Sequence, residues 1–171
     1  MTKADRIDLY KRFMPEPMGV LKLDELGFFE APASSKYHGA YEGGLFDHSY
    51  EVTKYLIKVT DKLAIKWKSE LSPYVIGMYH DLCKCGLYTK EPDGTYKYNK
   101  DVLLPGHGER SVILAQKILD LTDEEIICIR WHMGAYEDPK LWDTYHKAIN
   151  DYPNLLYICL ADMYASKVVG V

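Results

Sequence analysis

Apolar positions recur at steps of three and four residues along most of this chain, and the pattern breaks at prolines, glycines and short polar clusters. That period belongs to helices with one buried face. Residues 2–14 form the first predicted helix, stopped by Pro15 and Pro17. A short helical piece near Lys22–Leu26 follows. The segment EAPASSKYHGAYEGG at 30–44 is small, polar and glycine-ended, which predicts a loop. A long helix is expected over about 46–68. Ser72-Pro73 then supplies the cap and first turn of a helix reaching about Leu82, with Gly86 placed to close it. In LYTKEPDGTYKYN, 87–99, Pro-Asp-Gly lies between Thr/Tyr-rich flanks and predicts a small hairpin. Further helices are expected over about 106–120, 123–133, 139–150 and 153–168. Thr122 with Glu125 makes a capping box, and Pro139 and Pro153 suit first turns. The expected fold class is all-α: a helical bundle with one small β-hairpin insert.

Several apolar stripes carry a polar residue where a core residue is due. From His48 the steps run to Val52, Tyr55, Val59 and Leu63. Stepping back from His80 gives Ile76, and His107 leads to Ser111, Leu114 and Ile118. Asp162 lies among Leu155, Ile158, Ala165 and Val169, and His132 and Asp81 complete the set. An unpaired carboxylate or imidazolium on such a face costs several kcal/mol, so these groups must pair or bind metal. Neutral His and ionised Asp are good ligands for divalent transition metals. The economical reading is a buried His/Asp metal centre inside the bundle. The spacing is too long and irregular for a zinc finger. Neighbours on a helix diverge by ~100°, so His80 and Asp81 can serve one site only near a helix end, which Leu82–Gly86 supplies.

Bulk properties narrow the setting. At 171 residues the chain is expected to form one domain, 1–171. The net charge of -4 leaves no basic footprint, so independent nucleic-acid binding is not expected, although a metal can still attract an anionic substrate. The first residues lack the apolar core of a signal peptide, and no apolar run reaches the ~20 residues of a membrane span. A cytoplasmic location is the expectation. The four cysteines are expected to be reduced, since Cys83 and Cys85 are too close to bridge and Cys128 and Cys159 lie in apolar stretches. His38 and His146 have no motif around them and are expected at the surface, as is the loop carboxylate of Glu42.

Five ordered strings carry a family likeness. GGLFDHSYEV (43–52), MYHDLCK (78–84), GHGERS (106–111), RWHMG (130–134) and ADMYASK (161–167) together resemble the HD-domain superfamily of metal-dependent phosphohydrolases over residues 43–167. That resemblance implies a first divalent metal on His48, His80, Asp81 and Asp162, and a second on His107 and His132 with Asp81 bridging. It implies a catalytic role for Asp81 and Lys84, and phosphate contacts from Lys84, Arg110 and Lys167. The implied activity is hydrolysis of a nucleotide or other small phosphoester. Two other classes stay open: a non-catalytic, metal-bound nucleotide sensor, and a nuclease-type factor working within a complex. The departures concern specificity. There is no room for an added OB-type domain, His132 is followed by Met133 with no Gly-Tyr-Pro string, and Leu82-Cys83-Lys84-Cys85 stands where an acidic pair would follow the His-Asp step in guanosine-tetraphosphate hydrolases. The hairpin tyrosines Tyr88, Tyr96 and Tyr98 suit either exposed strand positions or stacking on a base.

Overall fold

The computed structural model describes residues 1–171 apart from Pro17 and Pro105, so the expected stop at Pro17 lies outside the described residues. Among the described residues the chain forms eight α-helices and one antiparallel hairpin. The helices are α1 (Lys3–Phe13), α2 (Val20–Glu25), α3 (Gly44–Leu63), α4 (Ser72–Tyr79), α5 (Gly108–Gln116), α6 (Asp123–Trp131), α7 (Trp142–Asp151) and α8 (Leu155–Tyr164). Strands β1 (Tyr88–Lys90) and β2 (Tyr96–Tyr98) pair with Tyr88 opposite Tyr98. The fold is the mostly helical one expected, with its hairpin insert.

Caps locate several helix ends. Thr2 with Asp5 closes the start of α1, and Thr122 with Glu125 closes the start of α6, each side chain taking one of the free N–H groups of a first turn. Several boundaries differ from the periodicity. Helix α3 stops at Leu63, not near 68, because Ala64 turns left-handed (φ 50°) and the Trp67 indole folds back to donate to the Thr60 hydroxyl at 2.9 Å. The buried face of α3 accordingly runs through Val52, Thr53 and Leu56, and Leu63 is exposed. Helix α4 ends at Tyr79, and a 3₁₀ turn over Leu82–Lys84 takes the rest of the expected span. At 139–141 a 3₁₀ turn capped by Asp138 precedes α7, and α8 widens into a π-helical turn at Ala165–Val169.

Two apolar clusters form the core. One gathers Tyr10, Phe28, Phe29, Phe46, Met78, Tyr79 and Ile129. The other gathers Val52, Leu56, Ile76, Cys128, Trp131 and Ile158. Helices α3, α4 and α6 feed both clusters, so these three are held from two sides. They carry His48, His80 and His132.

Candidate metal centre

Each polar residue of the set sits at a defined point of a helix. His48 lies in the second turn of α3. His80 and His132 are the residues that close α4 and α6, and His107 is the residue that opens α5. Asp162 comes from α8. Asp81 has already left α4 (φ -108°, ψ 18°), which lets its carboxylate reach the same centre as its neighbour His80. The helix end required by two adjacent ligands is therefore present.

Two glycines allow the helices to approach. A Cβ on Gly77 would run into Thr53 of α3, so its absence brings α4 close enough for His80 to meet His48. A Cβ on Gly108 would run into the Arg130 carbonyl of α6, so its absence brings His107 to His132. The Nε2 atoms of His48 and His80 end 3.3 Å apart, and those of His107 and His132 end 3.1 Å apart.

The opposite ring nitrogens decide what those pairs are. His80 Nδ1 donates to the Gly77 carbonyl at 2.9 Å, and His132 Nδ1 to the Ile129 carbonyl at 2.7 Å. Both carbonyls belong to last turns, where helices leave acceptors free. His48 Nδ1 donates to the Val171 carbonyl at 2.9 Å. A carbonyl only accepts, so these three Nδ1 atoms carry the proton. In the neutral rings Nε2 is then a bare lone pair. Two lone pairs at 3.3 Å cannot hydrogen-bond to each other, but they are placed to share a cation. His107 differs: its Nδ1 faces the Cys83 sulfur at 3.2 Å.

Asp81 sits between the pairs. Its Oδ2 is 3.6 Å from His48 Nε2 and 3.5 Å from His80 Nε2. Its Oδ1 is 2.8 Å from His107 Nε2 and 3.6 Å from His132 Nε2. Asp162 Oδ1 adds a contact of 3.2 Å to His48 Nε2. Oδ1 of Asp81 is buried without a well-formed hydrogen bond, an expensive state for a carboxylate oxygen and one a metal would relieve. The donor sets His48/His80/Asp162, His80/Asp81/His132 and Asp81/Cys83/His107 each have ligand atoms within 4.8 Å of one another. The residues present therefore fit a divalent metal. Cys83 belongs on the far side of the His107 ring, against Nδ1, where it holds the ring.

Charges follow this packing. Burial opposes ionisation of Asp81, but Lys84 and His80 beside it hold the carboxyl well below the usual range. Lys84 Nζ lies 2.5 Å from Asp81 Oδ2; burial works against its charge, and Asp81 outweighs it, so the Lys84 pKa is raised. Burial lowers His80, whereas at His132 the hydrogen bond and charge of Asp81 overcome burial and raise it. Burial pushes the Cys83 thiol up to about 12, which keeps it protonated.

A cavity of about 450 Å³ opens over this centre, with Asp81, Lys84, His107, Asp162 and Lys167 among its walls. A larger groove, about 560 Å³, between Pro15, Trp67 and Tyr74 contains no histidine or cysteine and lies apart from this chemistry. Lys167 is exposed at the cavity. Arg110, expected at a phosphate, is otherwise engaged: its guanidinium donates to the carbonyls of Cys83 at 2.5 Å and Cys85 at 2.9 Å, tying α5 to the 3₁₀ turn. Glu42 pairs with Lys90 at 3.2 Å on the surface, and His146 is exposed, as expected. His38 corrects its expectation. It is half-buried, lines the cavity, and its ring lies tilted with its centroid 5.2 Å from that of His48; burial pushes its pKa down to about 4. No periodic stripe runs through 30–44, so nothing local marked His38. Cys83 was likewise hidden, because its role depends on a partner 24 residues away.

Comparison with known proteins adds one likeness. The chain is 39% identical over 72 residues to dihydroneopterin 2',3'-cyclic phosphate phosphodiesterase of Methanocaldococcus jannaschii. The matched stretch covers 40% of this chain and 29% of that protein, far less than two thirds of its length. No family model and no solved structure matches. The HD-domain assignment made from the five strings is corrected here: the similarity found runs to a dihydroneopterin cyclic-phosphate phosphodiesterase, not to a protein described by the superfamily's name. The physical reason is that short His and Asp strings report a ligand set, and any phosphoesterase using imidazole and carboxylate ligands needs one, whatever its descent.

Proposed function

We propose that this protein is a metal-dependent phosphoester hydrolase acting on a nucleotide or another small phosphoester. The observation that carries the reading is the buried carboxylate of Asp81, with one oxygen toward each histidine pair. His48, His80, Asp162 and Asp81 would hold a first divalent ion, and His107, His132 and Asp81 would hold a second. Two such ions, when bound, supply positive charge for a phosphoryl group and a lowered pKa for attacking water. The chain's own part is to fix the ligands through Nδ1 and to present Lys84 and Lys167 to phosphate oxygens at the cavity. Residues 1–171 act as one domain in this reading, since both core clusters support the helices that carry the ligands. The named activity of the archaeal relative makes a 2',3'-cyclic phosphodiester a substrate to include from the start.

The test is metal analysis followed by a screen of nucleotides, cyclic phosphodiesters and generic phosphoesters with Mn, Fe, Co, Ni, Mg and Zn. Expected is turnover that disappears with chelator and returns with metal. Metal bound at the histidines without turnover of any phosphoester would replace this reading with a non-catalytic metal-bound module.

A further inference from the structure

The mouth of the cavity is built differently from its floor. The floor is charged: Asp81, Asp162, His107 and Lys84. The mouth is aromatic. Tyr37, Tyr98 and Tyr136 are 82%, 62% and 66% exposed, the three most exposed of the chain's fifteen tyrosines, and all three line this one cavity. They come from three separate elements: the loop before α3, strand β2, and the 3₁₀ turn Gly134–Tyr136 just after His132. Tyr88 joins them from β1, opposite Tyr98, with ring centroids 5.1 Å apart. Met133 and Met163 complete the walls.

Resting on the hydrolase reading above, we infer that the substrate is a phosphoester carrying a flat aromatic ring, and that the hairpin tyrosine Tyr98 together with Tyr136 is the cradle for that ring. Ring faces left in water gain contact by stacking on another ring, and their hydroxyls stay wet at the edge. Thioethers pack well at ring edges. An alkyl chain would call for an enclosed apolar tunnel, and this mouth is open and tipped with hydroxyls. A polymer would call for a basic track, and the chain carries a net charge of -4. A cavity of about 450 Å³ lies in the range that takes a single small ligand. The anionic end of such a ligand then meets Lys84 and Lys167 while its ring stays at the hairpin.

Two measurements separate this inference from the hydrolase reading. Saturation-transfer NMR of metal-stripped protein with adenosine, a ring without phosphate, is expected to show contact. The contact is expected to persist in Y98F/Y136F and to disappear in Y98L/Y136L. Absence of contact in the wild type, or equal contact in the leucine variant, overturns the cradle whatever the enzyme hydrolyses. With Mn²⁺ loaded, the ratio of kcat/KM for adenosine 2',3'-cyclic phosphate to that for glycerol 2-phosphate is expected to fall about tenfold in Y98L/Y136L, the usual loss of one stacked base. An unchanged ratio also overturns it. If the wild type turns over neither ester, no ratio exists and the NMR contact alone decides the cradle, while the hydrolase reading is decided by the wider screen of esters and metals.

Discussion

The two histidine pairs are alike in composition and unlike in support. His48 and His80 have no exposed surface, and both rings donate through Nδ1 to main-chain oxygens, that of Val171 for His48 and that of Gly77 for His80. In the second pair His132 is enclosed and carbonyl-anchored, but the His107 side chain keeps 31% of its surface in water and leans on the Cys83 thiol. A carbonyl is a strong, fixed acceptor, whereas a thiol is a weak partner in either direction. The first pair lies on α3 and at the end of α4, between the two core clusters. The second joins the two ends of α5 and α6 through the gap at Gly108. The lesson is that the first pair is fully enclosed, whereas the second keeps one ring partly open toward the cavity.

Removing the group common to both pairs is the harshest way to break this comparison. Asp81→Ala is expected to cost at least ~10²-fold in turnover while the helical circular dichroism is kept. Near-normal turnover would sink the assignment of Asp81 to the chemistry. A change at Cys83 should divide the pairs. Cys83→Ala is expected to weaken the second ion about 10–100-fold, the usual cost of losing the group that orients a ligand, and to leave the first unchanged. Calorimetric metal titration reads both steps, and equal weakening of both would show that the thiol acts on the whole centre.

Backbone approach offers a subtler cut. Gly108→Ala forces α5 off the Arg130 carbonyl, with an expected loss of about 1–3 kcal/mol in unfolding free energy and of the second metal equivalent. Gly77→Ala disturbs the α3–α4 contact instead and is expected to lose the first ion. Denaturant titration with stepwise metal titration distinguishes them: Gly108→Ala is expected to keep the first ion and Gly77→Ala the second, and loss of the same ion in both variants would remove the two-site picture. The smallest effect is with pH. The Asp81 carboxyl is depressed by Lys84 and His80 against the pull of burial, so its contribution to stability is fully present above the ordinary carboxylate value of about 4 and is lost as pH falls through the lower folded value. In metal-free Asp81→Asn that acid-side slope is expected to flatten; an unchanged slope between pH 5 and 2 would assign it to other carboxylates.

Much of the helical order was legible because it is local. Thr122 with Glu125 marked the start of α6, and Pro-Asp-Gly between tyrosines marked the hairpin. Polar residues on apolar stripes singled out His48, His80, His107, His132 and Asp162, and these side chains do meet. Boundaries governed by distant contacts were not legible: Ala64 turns because Trp67 folds back on Thr60, which periodicity at 64–68 does not encode. Arg110 looked like a phosphate ligand because its charge is visible in sequence, but the carbonyls of Cys83 and Cys85 that occupy it are not. The family likeness failed on a similar point, since a ligand pattern is a chemical requirement and not a signature of descent.

By itself, then, the sequence determined the mostly helical fold, the hairpin, and the six side chains too polar to sit unpartnered on apolar faces. All three follow from short-range rules: the period of a helix, the turn chemistry of Pro-Asp-Gly and the cost of burying charge. Only the tertiary structure decided which Asp81 oxygen faces which pair, that His38 and Cys83 stand beside them, and that the exposed tyrosines gather at one mouth. The reason is that a ring's free nitrogen is fixed by what its other nitrogen touches, and those partners are backbone carbonyls and a thiol brought into reach by the packing of helices on one another.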